Sequence, residues 1–344
     1  MAATSKKSRN WKRVLVIVAG ILIGVFFFYL AFRGISWDNF VDGIRSIQLI
    51  YLLPAAVLLI LIQLVRALRF GVILSPFCEL GIKALWDVLN IWGAANMIMP
   101  ARLAEFVRPY LLQRTGAPFS SSFGAVMVER FFDLSSLLLL LGVVLWQAPE
   151  IPHEYSSLGL ALLGILIAGY AMVLLVLARS EAVFAAVSRV LSVLPERISS
   201  VLEGIIRKLI EGFGIMASFK QVMIIAGYSL LLWILFSSLT YLFLLAFSIK
   251  ASFLVALTIQ VFVCLGIALP SAPGFVGTFH AAGRYALALF GVHAVVAVSF
   301  ATAYHLFSLV GCLILGGLSY FTSDFRFDRS LLAQQVKSTE PNLA

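Results

Sequence analysis

The chain has 344 residues, 62% of them hydrophobic and 12% charged, with a formal net charge of +9. Soluble domains are about 45–50% apolar and about 25% charged, so a mean hydropathy of +1.04 excludes a soluble globular enzyme, a disordered tail protein and a collagen-like fibre. The apolar runs are continuous rather than alternating, which argues against a transmembrane barrel. At roughly 20 residues per span the length allows roughly six to eight helices. The Lys/Arg excess then belongs to cytoplasmic loops and implies no nucleic acid.

Residues 1–13 carry Lys6, Lys7, Arg9, Lys12 and Arg13 ahead of an apolar run from Val14 to Phe32. No small-x-small cleavage site follows, so this reads as an uncleaved first span behind a basic cytoplasmic N-terminus. The loop 33–49 balances Arg33 and Arg45 against Asp38 and Asp42 and suits the outer side. Leu49 to Phe70 is the second span, with Arg66 and Arg69 near its inner end. Residues 84–119 are only moderately apolar and are broken at Pro100, Pro109 and Pro118. Phe123 to Trp146 is long and apolar yet holds Glu129, Arg130 and Asp133. The loop 147–157 has no Lys or Arg and reads as outside, before the clean span Leu158 to Ala178.

Residues 179–220 hold six basic residues and two runs of apolar residues at helical spacing. They predict two amphipathic cytoplasmic helices. These either cap the bundle or touch anionic lipid headgroups. Val222 to Ile249 is a further span. Phe253 to Leu269 is short and stops at Pro270-Ser-Ala-Pro273-Gly274, and Ala294 to Phe321 is the last clear span. A polar cytoplasmic tail, 323–344, follows the single membrane domain, 14–322.

The expected fold is therefore an all-α polytopic membrane bundle. Six full spans are joined by two re-entrant, broken hairpins, and both termini lie inside. The hairpins enter from opposite sides, each ahead of a span, which suggests an inverted repeat.

Three constellations carry chemistry. Asn96 and Pro100 mark a helix break followed by Arg102, Glu105 and Arg108, each three apart and sharing a broad helical face. Glu129, Arg130 and Asp133 form the second group. One unpaired charge at mid-membrane costs about 2.5–3.5 kcal/mol, so six would cost about 15–20 kcal/mol. These residues must pair or line a wet cavity. Three cations against three anions sum to zero, as a purely structural network would. The functional reading leaves arginines free to grip phosphate, which a planar guanidinium matches with two hydrogen bonds.

The third constellation is Pro270, Pro273, Gly274, Gly277, Thr278 and His280, with Arg284 one turn on. A helix starting near Gly277 would offer free N–H groups to a phosphate; the alternative is an ordinary interfacial turn. His280 and Arg284 are four apart and would share a face. Cys78, Cys264 and Cys312 are far apart and suggest neither disulfide nor zinc. There is no HExxH, GxxxxGK[ST] or GxSxG, so no cofactor, metal or catalytic residue is expected.

In order and spacing, Asn96…Pro100-x-Arg102-x-x-Glu105-x-x-Arg108, Glu129-Arg130-x-x-Asp133 and Pro270-x-x-Pro273-Gly274-x-x-Gly277 resemble the lysylphosphatidylglycerol synthase transmembrane-region family, also described as flippase-like. The resemblance spans residues 14–322. It implies a bundle of about eight transmembrane segments. It also implies work on lipids, since multidomain members flip an aminoacylated phospholipid and others belong to hopanoid, glycolipid or polyprenyl-linked glycan pathways. Two positions depart: Ala104 stands where glycine is common, and His280 where an acid is expected. With the sequence ending at Ala344, lysyl transfer by this chain alone is not expected.

The resulting expectation is a bacterial inner-membrane lipid translocator. Arg102, Arg108 and Arg284, with Gly277 and Thr278, would hold an anionic headgroup. Glu105, Glu129, Arg130 and Asp133 would orient them, and His280, Arg66 and Arg69 are further candidates. The competing expectations are an integral-membrane transferase with Glu129 or Asp133 as base, and an accessory subunit recruiting a lipid-modifying enzyme through 179–220.

Overall fold

The computed structural model describes residues 18–99, 103–147, 156–193, 195–214, 218–269 and 272–323. Pro100, Arg102, Pro270, the basic N-terminus, most of the loop 147–157 and nearly all of the polar tail lie outside them. The described chain is helical, without strands: α1 (Val18–Phe32), α2 (Trp37–Arg45), α3 (Leu52–Leu74), α4 (Ile82–Ile98), α5 (Val107–Gln113), α6 (Phe119–Gln147), α7 (Ser156–Ala178), α8 (Ser180–Leu191), α9 (Glu196–Phe213), α10 (Phe219–Ala246), α11 (Phe253–Ala268), α12 (Thr278–Ala288) and α13 (Ala294–Thr322). It is a polytopic helical membrane protein.

Local chemistry sets the boundaries. The last helical residues of α4 and α11 give way to Met99 (ψ 134°) and Leu269 (ψ 145°). Both precede a proline, whose ring disfavours helical backbone in the residue before it. Each break is followed by a 3₁₀ turn, Leu103–Phe106 and Pro273–Phe275. The region 33–49, expected as a loop, contains α2. Ser36 caps it by accepting from the Asn39 N–H at 3.4 Å. Asp38 sits in its first turn and Arg45 in its last, matching the helix dipole.

Among the described residues three helices are long and apolar enough to cross a bilayer: Leu49–Leu74, α10 and α13. The count rises to as many as five if each bent helix pair is one span, against an expectation of six full spans. The others differ for visible reasons. The α1 segment is bent by 82° against α2, and Ile167–Val176 within α7 by 86° against α8. The 29-residue α6 carries three charges in its first half.

The two amphipathic helices expected in 179–220 are α8 and α9. The α9 helix packs along α6, with Phe213 edge-on to Phe131 at 5.6 Å. The α7 helix packs on the same side through Tyr170, 5.0 Å from the Phe131 ring.

The chain folds twice over. The constant offset in numbering that takes Pro100 to Pro270 also takes Asn90 to Gln260. It carries α3 to positions 222–244, inside α10, and α4 to positions 252–268, onto α11. Packing obeys the same exchange: α4 against α13 is mirrored by α11 against α6, α5 against α6 by α12 against α13, and α3 packs on its own counterpart α10. The α3 and α10 helices run antiparallel, since the Gln48 N–H donates to Ala246 O at 2.8 Å while Arg69 reaches Ser229 at 3.1 Å. Antiparallel counterparts define an inverted repeat. Each half has its own core, one around Phe70, Val88, Trp92 and Val126, the other around Phe243, Ile259, Ala297 and Phe300.

Candidate functional site: a buried guanidinium and carboxylate network

Three elements of the first half converge on Glu129 of α6. Arg69 of α3 donates to its Oε1 at 2.9 Å. Arg108 of α5 makes a short contact to Oε2. Arg130 reaches Oε2 at 3.3 Å. Arg69 also binds Asp133 at 2.7 Å, Arg130 binds Asp133 at 3.3 Å, and Arg108 reaches Glu105 at 3.5 Å. The centre is dry: the side chains of Arg108 and Glu129 are 0% and 2% exposed. The rim is open: those of Arg130 and Asp133 are 31% and 33% exposed.

The break after α4 creates this geometry. It interrupts the helix, and the 3₁₀ turn then delivers Glu105 and Arg108 sideways into α6. Trp92 of α4 supplies the floor. The guanidinium carbons of Arg108, Arg66 and Arg130 lie 3.9, 5.3 and 5.7 Å from its ring centroid. An aromatic face attracts cations through its quadrupole without neutralising them.

The described residues of this network do not sum to zero. Four guanidiniums (Arg66, Arg69, Arg108, Arg130) face three carboxylates (Glu105, Glu129, Asp133). Among the same residues, the buried N–H donors Trp92 Nε1, Arg69 Nε, Arg108 Nε and Arg130 Nε find no acceptor. Buried donors without acceptors are uncommon in folded proteins. The arrangement is rich in positive charge and in donors, which is the chemistry of an anion site.

Arg69 is a further candidate in the sequence, without an assigned partner. Its carboxylate partners lie on α6, with α4 and α5 intervening in the chain, so no local spacing signalled the pairing. Arg102 of the expected headgroup set lies outside the described residues.

The second half is built differently. On α10, α11 and α13, the counterparts of α3, α4 and α6, a neutral cluster replaces the charges. Thr240 donates to Gln260 Oε1 at 3.0 Å, Tyr304 donates to the same oxygen at 3.1 Å, and Gln260 Nε2 meets Cys264 Sγ at 3.5 Å. Tyr304 stands next to the position, Ala303, that the repeat offset assigns to Asp133.

The expectation of a phosphate at the start of α12 meets a different arrangement. Gly277 holds φ +93°, and a Cβ there would contact the Gly24 carbonyl of α1. The Gly277 N–H donates to His280 Nδ1 at 3.4 Å and the Thr278 hydroxyl to Phe275 O at 3.2 Å. The Gly277 N–H and the Thr278 hydroxyl are therefore engaged within the chain, and the α1 backbone at Gly24 lies against Gly277. His280 packs edge-on to His305 with ring centroids 5.0 Å apart. His305 Nε2–H donates to the Gly274 carbonyl at 2.7 Å, tying the unwound backbone to α13.

The pairing of Arg284 with His280 toward a headgroup is likewise replaced. Arg284 Nη1 donates to the carbonyls of Leu30, Ala31 and Arg33 at 2.9, 2.6 and 3.1 Å. These are the orphan acceptors at the end of α1. Arg284→Gln is expected to lower stability by about 1–2 kcal/mol, since it removes a charged donor from a helix C-terminus. The same substitution should leave anion binding at the network unchanged. Thermal unfolding in detergent reads the first effect, and an unaltered melting temperature would contradict the capping role.

Residues 17–316 match the family model described as the lysylphosphatidylglycerol synthase TM region. The chain belongs to that family. Glycosyltransferase AglD of Haloferax volcanii is similar to a shorter stretch: 31% identical over 138 residues, covering 39% of this chain and 22% of that protein. The chain therefore aligns with less than a quarter of that relative's length. Both charged constellations and both helix breaks fall inside the matched span.

Proposed function

We propose that this family member carries a lipid with an anionic headgroup, whether a phospholipid, a glycolipid or a polyprenyl-phosphate-linked lipid, between the leaflets of a bacterial inner membrane. The observation that carries the reading is the network beside the α4 break. Among the described residues it holds more guanidiniums than carboxylates and keeps buried N–H donors without acceptors, and Arg130 and Asp133 open its rim. The headgroup would travel along that rim while the tails stay in lipid. Arg130, with Arg102, would receive the phosphate; Arg108, expected among the headgroup residues, is fully buried on Glu129 and would hold that carboxylate in place, while Glu105 and Asp133 would keep the headgroup from being trapped. The basic residues of 1–13 and 179–220 orient both termini toward the cytoplasm.

The test is the full chain in phosphatidylcholine liposomes with labelled phosphatidylglycerol in one leaflet. Wild type should equilibrate the label well above protein-free vesicles. Arg130→Gln and Arg102→Ala should each slow it about tenfold, corresponding to about 1.4 kcal/mol. Equal rates in wild type, variants and empty vesicles would refute transport.

The likeness to a protein named as a glycosyltransferase favours one second reading, a transferase acting on a lipid-linked substrate. Glu129 is locked between Arg69 and Arg108, so the partly exposed Asp133 would serve as base. That reading requires covalent product from the purified chain with a sugar donor, and loss of product in Asp133→Asn.

A further inference from the structure

The inverted repeat has an axis, and the residue numbers locate it. The offset that relates the halves takes Arg66 to Phe236, and the Arg66 guanidinium carbon sits 5.6 Å from the centroid of that ring. A residue in contact with its own counterpart lies at the axis that relates them. The register of α3 against α10 agrees. Gln48 meets Ala246 at one end and Arg69 meets Ser229 toward the other, so the helices cross within a turn of Arg66. In inverted repeats this axis lies in the membrane plane, and substrate sites sit where the repeats meet, near the bilayer midplane.

The span runs on to Leu74, so Arg66, expected near the inner end, lies closer to the middle, where an uncompensated charge costs about 2.5–3.5 kcal/mol. Its neighbours soften that cost without cancelling the charge. Its Nη1 donates to Gln63 Oε1 at 3.2 Å, and Gln63 in turn is held by Asn90 at 2.9 Å. Trp92 and Phe236 present ring faces at 5.3 and 5.6 Å. Arg69, Arg108 and Arg130 each have a carboxylate partner, whereas among the described residues Arg66 has none. It is also partly exposed, not sealed in a core.

We infer that Arg66 is the mid-membrane station for the headgroup of the transported lipid, and that the station takes one phosphodiester of charge −1, matching the single charge of a guanidinium that has no carboxylate partner among the described residues. This deepens the translocator reading and rests on it. Both halves contribute to the station: Gln63 and Trp92 from the first, Phe236 from the second. A headgroup leaving the charged rim of the first half meets Arg66 before the neutral Thr240–Gln260–Tyr304 cluster of the second. A planar guanidinium between two aromatic faces keeps its fork available for phosphate oxygens.

The experiment measures binding to the detergent-solubilised full chain of four probes: dihexanoyl-phosphatidylglycerol, its phosphatidylcholine counterpart, a doubly charged short-chain phosphatidic acid, and inorganic phosphate. Wild type should prefer phosphatidylglycerol to phosphatidylcholine by about tenfold and gain nothing from the second charge. Arg66→Gln should abolish the preference, and Arg66→Lys should keep part of it. Phe236→Leu removes no charge and should weaken phosphatidylglycerol about threefold by loss of a ring face, which keeps the inference testable should Arg66→Gln unfold. An unchanged preference in Arg66→Gln, tighter binding of the phosphatidic acid, or inorganic phosphate bound as tightly as the lipid would each overturn it. Transport in liposomes is read in parallel. Arg66-dependent binding without wild-type transport sinks the translocator reading and leaves the site standing. Transport with Arg66-independent binding sinks the site alone.

Discussion

Glu129→Gln is expected to be the most damaging single change in the first half. Glu129 is the carboxylate shared by Arg69, Arg108 and Arg130. Neutralising it leaves the guanidiniums of Arg69 and Arg108 at 4% and 0% side-chain exposure without their common partner. Arginine does not lose its proton to escape the penalty. Breaking a buried pair from one side costs about 3–5 kcal/mol, or a fall in melting temperature of roughly 6–10 °C for a chain of this size. Adding Arg108→Gln to Glu129→Gln should recover part of the loss, because the orphaned charge is then gone. Calorimetry or fluorescence-detected unfolding in detergent reads both. A single variant as stable as wild type, or a double variant with simply additive losses, would show that the network does not centre on Glu129.

Gly277→Ala should be the most damaging small substitution in the second half. At φ +93° a side chain carries about 1–2 kcal/mol of backbone strain, and the added methyl would meet the carbonyl of Gly24, a backbone atom that cannot rotate away. The α1 helix must shift, weakening the contacts of Phe28 and Phe32 with His280. A loss of about 3 kcal/mol is expected, in the range of overpacked core sites. Gly34→Ala supplies the control: its φ is +79° with nothing within 4 Å of the added carbon, so it carries the strain without the collision. Similar melting temperatures for the two variants would mean that α1 does not rest on Gly277.

Much of this was legible in the residues. Pro100 and Pro270 announce the two breaks because proline constrains the residue before it wherever it stands. Buried charge is legible for a similar reason: its cost in a dry medium forces Glu105, Arg108, Glu129, Arg130 and Asp133 to find partners. Spacing on one helix suggests the pair of Arg130 with Asp133, which the structure closes at 3.3 Å; the partners on other helices were not legible. Arg69 reaches from α3 to Glu129 on α6, and Arg284 reaches from α12 back to the end of α1. Periodicity reports neighbours along one helix and carries no information across such stretches of chain. The Thr240–Gln260–Tyr304 cluster gave no signal, since neutral polar side chains carry no large burial cost to betray them. The α2 helix did leave one: Trp37, Phe40, Val41 and Ile44 recur at helical spacing behind Ser36, a capping residue, but the balance of charges drew the reading toward a loop. The six residues grouped by the sequence sum to zero with Arg102, which lies outside the described residues; Arg66 and Arg69 are the two cations that grouping did not include.

One backbone plan built twice with different side chains has a thermodynamic consequence. Were the halves chemically identical, exchanging their shapes would return the molecule to an equivalent state of equal free energy. Here one half holds a charged knot and the other an amide and hydroxyl triangle, so the two shapes rest at different levels and one dominates the population. Detailed balance still forbids such a bias from pumping anything. In the proposed transport cycle it would set how long the site faces each leaflet, while net flow would follow the concentration of the lipid itself.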